Sequence, residues 1–400
     1  MNPNLERLHV IGSKKEKLII GLMSGTSLDG LDIALCRIEG NGNDTRLQLL
    51  QFETVVYSAT FRKEIQHVFA KKDIDGEKLC LLHPWIALQH SGMILNSLKK
   101  WGMETGDIDL LASHGQTIYH APSRFHGNEQ FGNATLQLGD GDHLSVATGI
   151  ITVSDFRQKH IAAGGEGAPL AVYGDRILFS KKGEDRILLN IGGIANFTWL
   201  PGNSDTAIIF CTDTGPGNTL MDGYVQSAFP GQNFDLDARL AMTGTVNNSF
   251  LAALKDNDFF KEGVPRTTGP ELFGQAYLNA ALQRSHTTDL EAADVLSTLN
   301  IFSAETIAEA IRKCIKERLG VNIYGSGGGI HNPLLRQHLS ELLPGCNWYT
   351  TADLGIDPNA KEAVLFAVLA NECICGNPAL AAKGMEGMPL VSMGKISFPS

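Results

Sequence analysis

The sequence predicts an α/β protein folded as two lobes of similar build. At 400 residues the chain is longer than one hydrophobic core usually supports, so two domains are expected. A strand, a glycine-bearing turn and a returning strand occur around 17–38 and again around 186–200. Helical patterns lie among these strands, which points to two mixed lobes rather than one large sheet. A hydrophobic fraction of 43% with 19% charged residues excludes disorder as the main state.

After a polar leader, Lys17 to Met23 reads as a strand entering the turn-prone Ser24-Gly25-Thr26-Ser27-Leu28-Asp29-Gly30, and Leu31 to Ile38 as the strand that returns. Arg186 to Ile191 is another strand, Gly192-Gly193 turns the chain, Ile194 to Leu200 pairs back, and Ala207 to Cys211 supplies a third strand. Ser303 to Leu319 carries Ile307, Ile311, Ile315 and Leu319 on one helical stripe, with Gly320 placed to end it. Val321 to Tyr324 then leads into Gly325-Ser326-Gly327-Gly328-Gly329-Ile330, a glycine run that only a close-approaching ligand or backbone requires. Asp357-Pro358 opens a helix over Ala360 to Asn371 that is apolar on nearly all faces and therefore buried between layers. The lobe boundary is expected near Glu184, giving 1–183 and 184–400, with the last residues returning to the first lobe.

A net charge of -10 leaves no general basic field, so a phosphate ligand must be held by local backbone N–H groups or a metal ion, and nucleic acid is excluded as a partner. Cys36, Cys80, Cys211, Cys314, Cys346, Cys373 and Cys375 lack paired C-x-x-C spacing, so they read as reduced, mostly buried thiols rather than a disulfide or zinc framework. No signal-like start and no apolar run of membrane-spanning length is present, and the longest run, Ala363 to Ala370, suits a core helix. The cytoplasm is the expected compartment.

A nucleoside triphosphate needs inward-pointing N–H donors, tolerant hydroxyls and a carboxylate that holds magnesium, usually through water. The first hairpin offers all three: Ser24, Gly25, Thr26 and Ser27 for the phosphates, and Asp29 or Asp32 for the metal shell. A plain surface turn is the competing reading. There is no P-loop, and the glycine run lacks the sixth position and the setting of a dinucleotide fingerprint. Its glycines, with His331 and Asn332, would instead let adenine and ribose lie against backbone. Asp213, in Cys211-Thr212-Asp213-Thr214-Gly215-Pro216-Gly217-Asn218, stands where a strand is expected to end, from which a carboxylate can face a ligand or cap its own loop as an Asx-turn. Ser113-His114-Gly115-Gln116-Thr117, Asp155-Phe156-Arg157 and Ala162-Ala163-Gly164-Gly165-Glu166-Gly167-Ala168-Pro169 are polar and glycine clusters of the kind that bind sugars, although His114 alone reads first as a satisfied buried histidine.

Taken in order, Gly21 through Asp32, the His114 segment, Asp155-Phe156-Arg157, the double-glycine segment, Asn190-Ile191-Gly192-Gly193-Ile194-Ala195-Asn196, Asp213 through Asn218 and Asp357-Pro358-Asn359-Ala360-Lys361-Glu362-Ala363 closely resemble the motifs of anhydro-N-acetylmuramic acid kinases, over roughly residues 18 to 370. The resemblance implies the actin, Hsp70 and hexokinase-like ATPase fold, two RNase H-like lobes with a nucleotide and sugar cleft. It implies an ATP- and Mg²⁺-using kinase that opens the 1,6-anhydro bridge hydrolytically and phosphorylates O6, for cell-wall recycling. By similarity, Gly25, Thr26, Ser27, Leu28, Asp29, Gly30, Leu31 and Asp32 form the phosphate loop, joined by Gly192 and Gly193, and Gly327 and Gly328 serve the adenosine. Asp213 is the implied base, Glu362 its catalytic companion, and His114, Arg157 and Asn196 contact the sugar, Arg157 gripping its acidic side chain. A homodimer is admitted by resemblance alone. His160 and Glu166 depart from the family's usual Asp and Gln, in the segment expected to bind sugar. A levoglucosan-type kinase and an actin-like ATPase switch are the alternative readings.

Overall fold

The computed structural model describes residues 2–25, 28–203, 207–269, 272–316, 318–378, 384–385 and 388–400, apart from the side chain of Phe125. The chain divides into two compact units, Met1–Phe179 with Gly355–Ser400, and Ser180–Leu354. The described strands are β1 Glu16–Ser24, β2 Gly30–Glu39, β3 Arg46–Val56, β4 Leu110–Ala121, β5 Ala134–Leu138, β6 Thr152–Ser154, β7 Arg186–Ile191, β8 Ile194–Leu200, β9 Phe210–Pro216, β10 Val321–Ser326, β11 Cys346–Thr350 and β12 Lys395–Ser397.

In the first unit the sheet runs β12-β6-β4-β1-β2-β3, with β5 paired to β4. The β1–β2 and β2–β3 pairs are antiparallel, and the β1–β4 and β4–β6 pairs parallel. In the second unit the order is β11-β10-β7-β8-β9, with β7–β8 and β8–β9 antiparallel and β7–β10 and β10–β11 parallel. Strand for strand, β1, β2, β3, β4, β6 and β7, β8, β9, β10, β11 follow one topology, the RNase H-like one. The α/β class with two RNase H-like lobes is the observed fold.

β1 is apolar almost without interruption because the first unit's sheet is covered on both faces. On one face Ile20, Leu22, Ile33 and Leu35 pack with Ile86, Ile94 and Leu98 of the helix Gly76–Trp101. On the other lies the helix Lys361–Cys375, in which every residue from Ala363 to Glu372 is buried. In the second unit, Ile187, Leu189, Phe197 and Trp199 pack against Ile307, Ile311 and Ile315 of the helix Ala292–Ile315.

Four expectations are corrected. The polar leader is a helix, Pro3–Ser13, capped by the Asn2 side chain and tied down where Asn4 Nδ2 donates to Pro399 O at 2.9 Å. The Asn-Pro start was a readable cap signal. The helix expected from Ser303 begins eleven residues earlier, at Ala292, because its buried face carries Ser297, Thr298, Asn300 and Ser303 and so hides the apolar period. It ends at Ile315, ahead of Gly320. The third strand of the second hairpin extends through Asp213 to Pro216, which β9 tolerates as an edge strand. Of the seven thiols only Cys36 is fully buried, and Cys80 is exposed. No helix among the described residues is long and apolar enough to cross a membrane.

Candidate active site

In the first unit, β1 delivers Ser24 and Gly25 to the turn; Thr26 and Ser27, expected at the phosphates, lie outside the described residues. Leu28 takes backbone φ +56° and its side chain is buried in the core. Asp29 Oδ1 accepts the Gly30 amide at 3.0 Å. Gly30, Leu31 and Asp32 belong to β2, and the Leu31 side chain is in the core, so only its backbone is available to a ligand.

The Ser24 hydroxyl is not a phosphate donor as expected. It is buried and donates to Gln116 Oε1, so Tyr57 Oη must donate to Ser24 Oγ, at 2.6 Å. Burial lowers the His90 pKa to about 4, and this neutral imidazole donates from Nε2 to Tyr57 Oη at 2.9 Å. Gln116 Nε2 in turn donates to Gly25 O at 3.2 Å and Thr117 O at 3.1 Å. A chain of buried hydrogen bonds therefore runs from His90 to the first peptide of the turn and holds the backbone that leads into it. Tyr57 and His90 were invisible to sequence reasoning, since neither sits in a motif.

His114 is buried, as its local context suggested, but not fully satisfied: Nδ1 has no hydrogen-bond partner among the described residues. Its ring lies 4.7 Å from that of Phe366, and Nε2 accepts Arg157 Nε at 2.8 Å, which assigns the proton to Nδ1. Burial, then the Arg157 charge, holds its pKa well below the ordinary value. Arg157 Nη1 donates to Gly167 O at 2.8 Å, and Nη2 makes no hydrogen bond among the described residues. His160 Nδ1 accepts the Gly167 amide at 2.9 Å, and a side chain at Gly165 would collide with its ring, so His160 keeps an acceptor where the family pattern has Asp. Glu166 pairs with Arg124 at 3.2 Å.

Glu362, in the first turn of the helix Lys361–Cys375, has its pKa raised by burial, with Arg157 and Lys361 pulling it down and Asp32 pushing it up. Arg157 has its own pKa lowered by burial, opposed by Glu362. Asp32 is raised by burial, lowered by the Thr54 hydroxyl that donates to Oδ1 at 2.5 Å, and raised again by Asp29. Asp29, Asp32, Glu362, Arg157 and His114 are thus one coupled set. No group of three or more His, Cys, Asp or Glu among the described residues could enclose a metal ion. Magnesium is commonly held by one or two carboxylates with phosphates and waters. The mutually repelling Asp29 and Asp32 fit that mode.

In the second unit, Asp213 sits inside β9 at a β-bulge. Asn196 pairs with Asp213 and Ala195 with Gly215, so Thr214 is the extra residue that turns the carboxylate. The contacts that fix it are distant: the Thr268 amide, far along the chain, donates to Asp213 Oδ2 at 2.8 Å, and the Asp213 amide donates to Arg266 O at 2.9 Å. The Arg266 guanidinium stacks 4.2 Å over the Phe259 ring and donates to Phe259 O at 2.6 Å and Thr214 O at 3.2 Å. Sequence reasoning missed Arg266 and Thr268, and gave no sign that Asn196 pairs with Asp213.

The Gly192-Gly193 turn occupies, in the second sheet, the position the Gly25–Gly30 turn occupies in the first. Its carbonyls receive the amides of Gly217, Asn218 and Thr219. Side chains there would meet no atom nearer than 3.6 Å at Gly192 or 3.7 Å at Gly193, so protein packing does not require glycine at either. In the later run, Gly327 has φ +80° and an added Cβ would lie 2.6 Å from Asn190 Oδ1, while one at Gly329 would lie 2.3 Å from Ile191 Cγ2. Gly328 faces nothing closer than 3.8 Å. Packing accounts for Gly327 and Gly329, and does not require glycine at 328. Asn332, expected beside the adenosine, has its side-chain oxygen committed to the Leu335 amide and to Asn300.

Two RNase H-like units with glycine turns at equivalent hairpins, one beside a coupled carboxylate and arginine set and the other beside a bulge-borne aspartate, define a two-lobed protein of the phosphate-handling class. The family model for anhydro-N-acetylmuramic acid kinase matches residues 17–399. Proteins of that name from Pseudoalteromonas atlantica and Pseudoalteromonas translucida are 54% and 51% identical, each over the whole of both chains. One from Caldanaerobacter subterraneus is 39% identical over 98% of this chain and all of its own length. The chain belongs to the anhydro-N-acetylmuramic acid kinase family.

Proposed function

We propose that this protein is an ATP-dependent kinase that opens 1,6-anhydro-N-acetylmuramic acid with water and transfers the γ-phosphoryl group to O6, yielding N-acetylmuramic acid 6-phosphate for cell-wall recycling. The observation that carries the reading is the equivalence of the two hairpins: Gly25–Asp32 and Gly192-Gly193 are the same turn of the same fold, and neither of the latter glycines is needed for packing. Their backbone amides hold the phosphates, and Gly327 and Gly328 admit the adenosine. Asp29 or Asp32 would hold Mg²⁺ through water, and the ion would supply charge neutralisation when bound.

Asp213, fixed by the Thr268 amide, takes a proton from the water that attacks C1. The C1–O6 bond breaks with its electron pair going to O6, O6 bonds to the γ-phosphorus, and ADP departs. Arg157, with Nε and Nη1 anchored and Nη2 open to an acceptor, grips the lactyl carboxylate. His114 holds Arg157 in place, Asn196 reaches the sugar beside Asp213, and Glu362 orients sugar or water. A cytoplasmic location and a homodimer belong to the same reading.

The test is ADP release with Mg-ATP and either the muramic anhydrosugar or levoglucosan, repeated with Asp213→Asn. Turnover on the muramic sugar that the variant loses is the expected result. Preference for levoglucosan overturns the substrate, and sugar-independent hydrolysis overturns the kinase.

A further inference from the structure

β9 lies at the edge of the second unit's sheet, and its bulge interrupts the ladder to β8: Asn196 pairs with Asp213 and Ala195 with Gly215, with no residue opposite Thr214. Thr214 is nonetheless fully buried, so its carbonyl must find a donor elsewhere. Arg266 supplies it. Its Nη2 donates to Thr214 O at 3.2 Å and its Nε to Asp213 O at 3.4 Å, so one guanidinium spans both carbonyls of the bulge. Its backbone grips the same place, accepting the Asp213 amide at 2.9 Å and donating to Thr212 Oγ1 at 2.9 Å.

The guanidinium is itself fixed on its far side. It lies 4.2 Å over the Phe259 ring, and Nη1 donates to Phe259 O at 2.6 Å and to Glu262 O at 3.4 Å. Arg266 is only 7% exposed. Burial lowers its pKa, and the charges of Glu262, Glu309 and Asp213 work against that. A buried cation is costly, and an apolar side chain would fill the space more favourably if packing were its whole task. Here the cation is spent on the two carbonyls that flank the turn of the Asp213 side chain.

We propose that Arg266 is the positioning residue of the base: its planar fork locks the bulge and so fixes the direction in which Asp213 presents its carboxylate, whose Oδ2 the Thr268 amide holds. Without the fork the bulge is free to relax toward the regular ladder, and a one-residue slip sends a strand side chain to the opposite face. Arg266 touches carbonyls and acts only through Asp213. The proposal rests on the preceding reading of Asp213 as the general base.

Steady-state ADP release by the full chain, with Mg-ATP and the muramic anhydrosugar, tests it. Arg266→Ala should lower kcat on the order of 100-fold and leave KM for both substrates within about 3-fold, since a misaimed base weakens the transition state and not uniform binding. Added to Asp213→Asn, the same change should alter the residual rate by less than about 2-fold, because the carboxylate it positions is already gone; a merely structural role would multiply the two losses. Lys313→Met frees the 259–262 segment, whose Phe260 and Glu262 carbonyls Lys313 Nζ holds, without touching the bulge, and should leave kcat at the wild-type value. Should Arg266→Ala fail to fold by circular dichroism, Phe259→Leu removes the ring beneath the guanidinium, keeps the fork, and should still lower kcat roughly 10-fold at unchanged KM. Wild-type kcat in Arg266→Ala or Phe259→Leu, an equal loss in Lys313→Met, or full additivity with Asp213→Asn overturns the proposal. Normal turnover by Asp213→Asn alone overturns the reading of the base on which it rests.

Discussion

Gly21, in the middle of β1, has no room for a side chain: an added Cβ would stand 1.9 Å from Ala363 O, 2.9 Å from Ala363 C and 3.0 Å from Ala367 N. All three are backbone atoms of the helix Lys361–Cys375, so no rotamer change can relieve the contact. Ordinary contact begins at 3.4 Å, and 3.4 less 1.9 leaves about 1.5 Å by which strand and helix must separate in Gly21→Ala. Overpacking a well-filled core costs about 1–3 kcal/mol, and a backbone collision belongs at the upper end, ~3 kcal/mol. The same displacement reaches Glu362, next to Ala363, and Ser24, three residues beyond Gly21, and a misplacement of about 1 Å can cost on the order of 100-fold in rate. Urea unfolding followed by circular dichroism, with ADP release on the folded variant, measures both. A midpoint and kcat within twofold of wild type would refute the claim that this contact sets the spacing of the site.

Arg157→Ala should raise KM for the anhydrosugar far more than it lowers kcat, with KM for ATP little changed; an unchanged sugar KM would end the role given to Arg157. Tyr57→Phe removes the hydroxyl joining His90 to Ser24 and strands a buried donor, so it should cost about 2 kcal/mol of stability and raise KM for ATP; neither effect would mean the network does not hold the turn. Burial lowers His90 and His160 to about 4 from an unfolded value of 6.5. Between those values the unfolded chain binds protons that the folded chain does not, so stability is full above pH 6.5 and falls towards pH 4, by roughly 3 kcal/mol for each histidine. Urea midpoints that do not fall between pH 7 and pH 5, or a His90→Gln variant with the same slope as wild type, would contradict this.

What the sequence by itself determined was whatever depends on near neighbours along the chain. The hairpin strands, the glycine turns, the apolar all-round helix near 361–371 and the ordered motifs reflect backbone freedom and burial, which a short window of residues expresses. The tertiary structure alone decided how those pieces are used. Ser24 looked like a phosphate donor and is captured by Gln116, far along the chain, together with Tyr57. Asp213 looked like the end of a strand; the ladder to β8 carries β9 past it, and the bulge and the Thr268 amide aim it. The glycines of the 325–329 run looked alike, yet Ile191 and Asn190 on β7 make Gly327 and Gly329 obligatory and leave Gly328 open. In each case the deciding atom comes from a distant segment, and a hydrogen bond or close contact between segments depends on packing that no local pattern encodes.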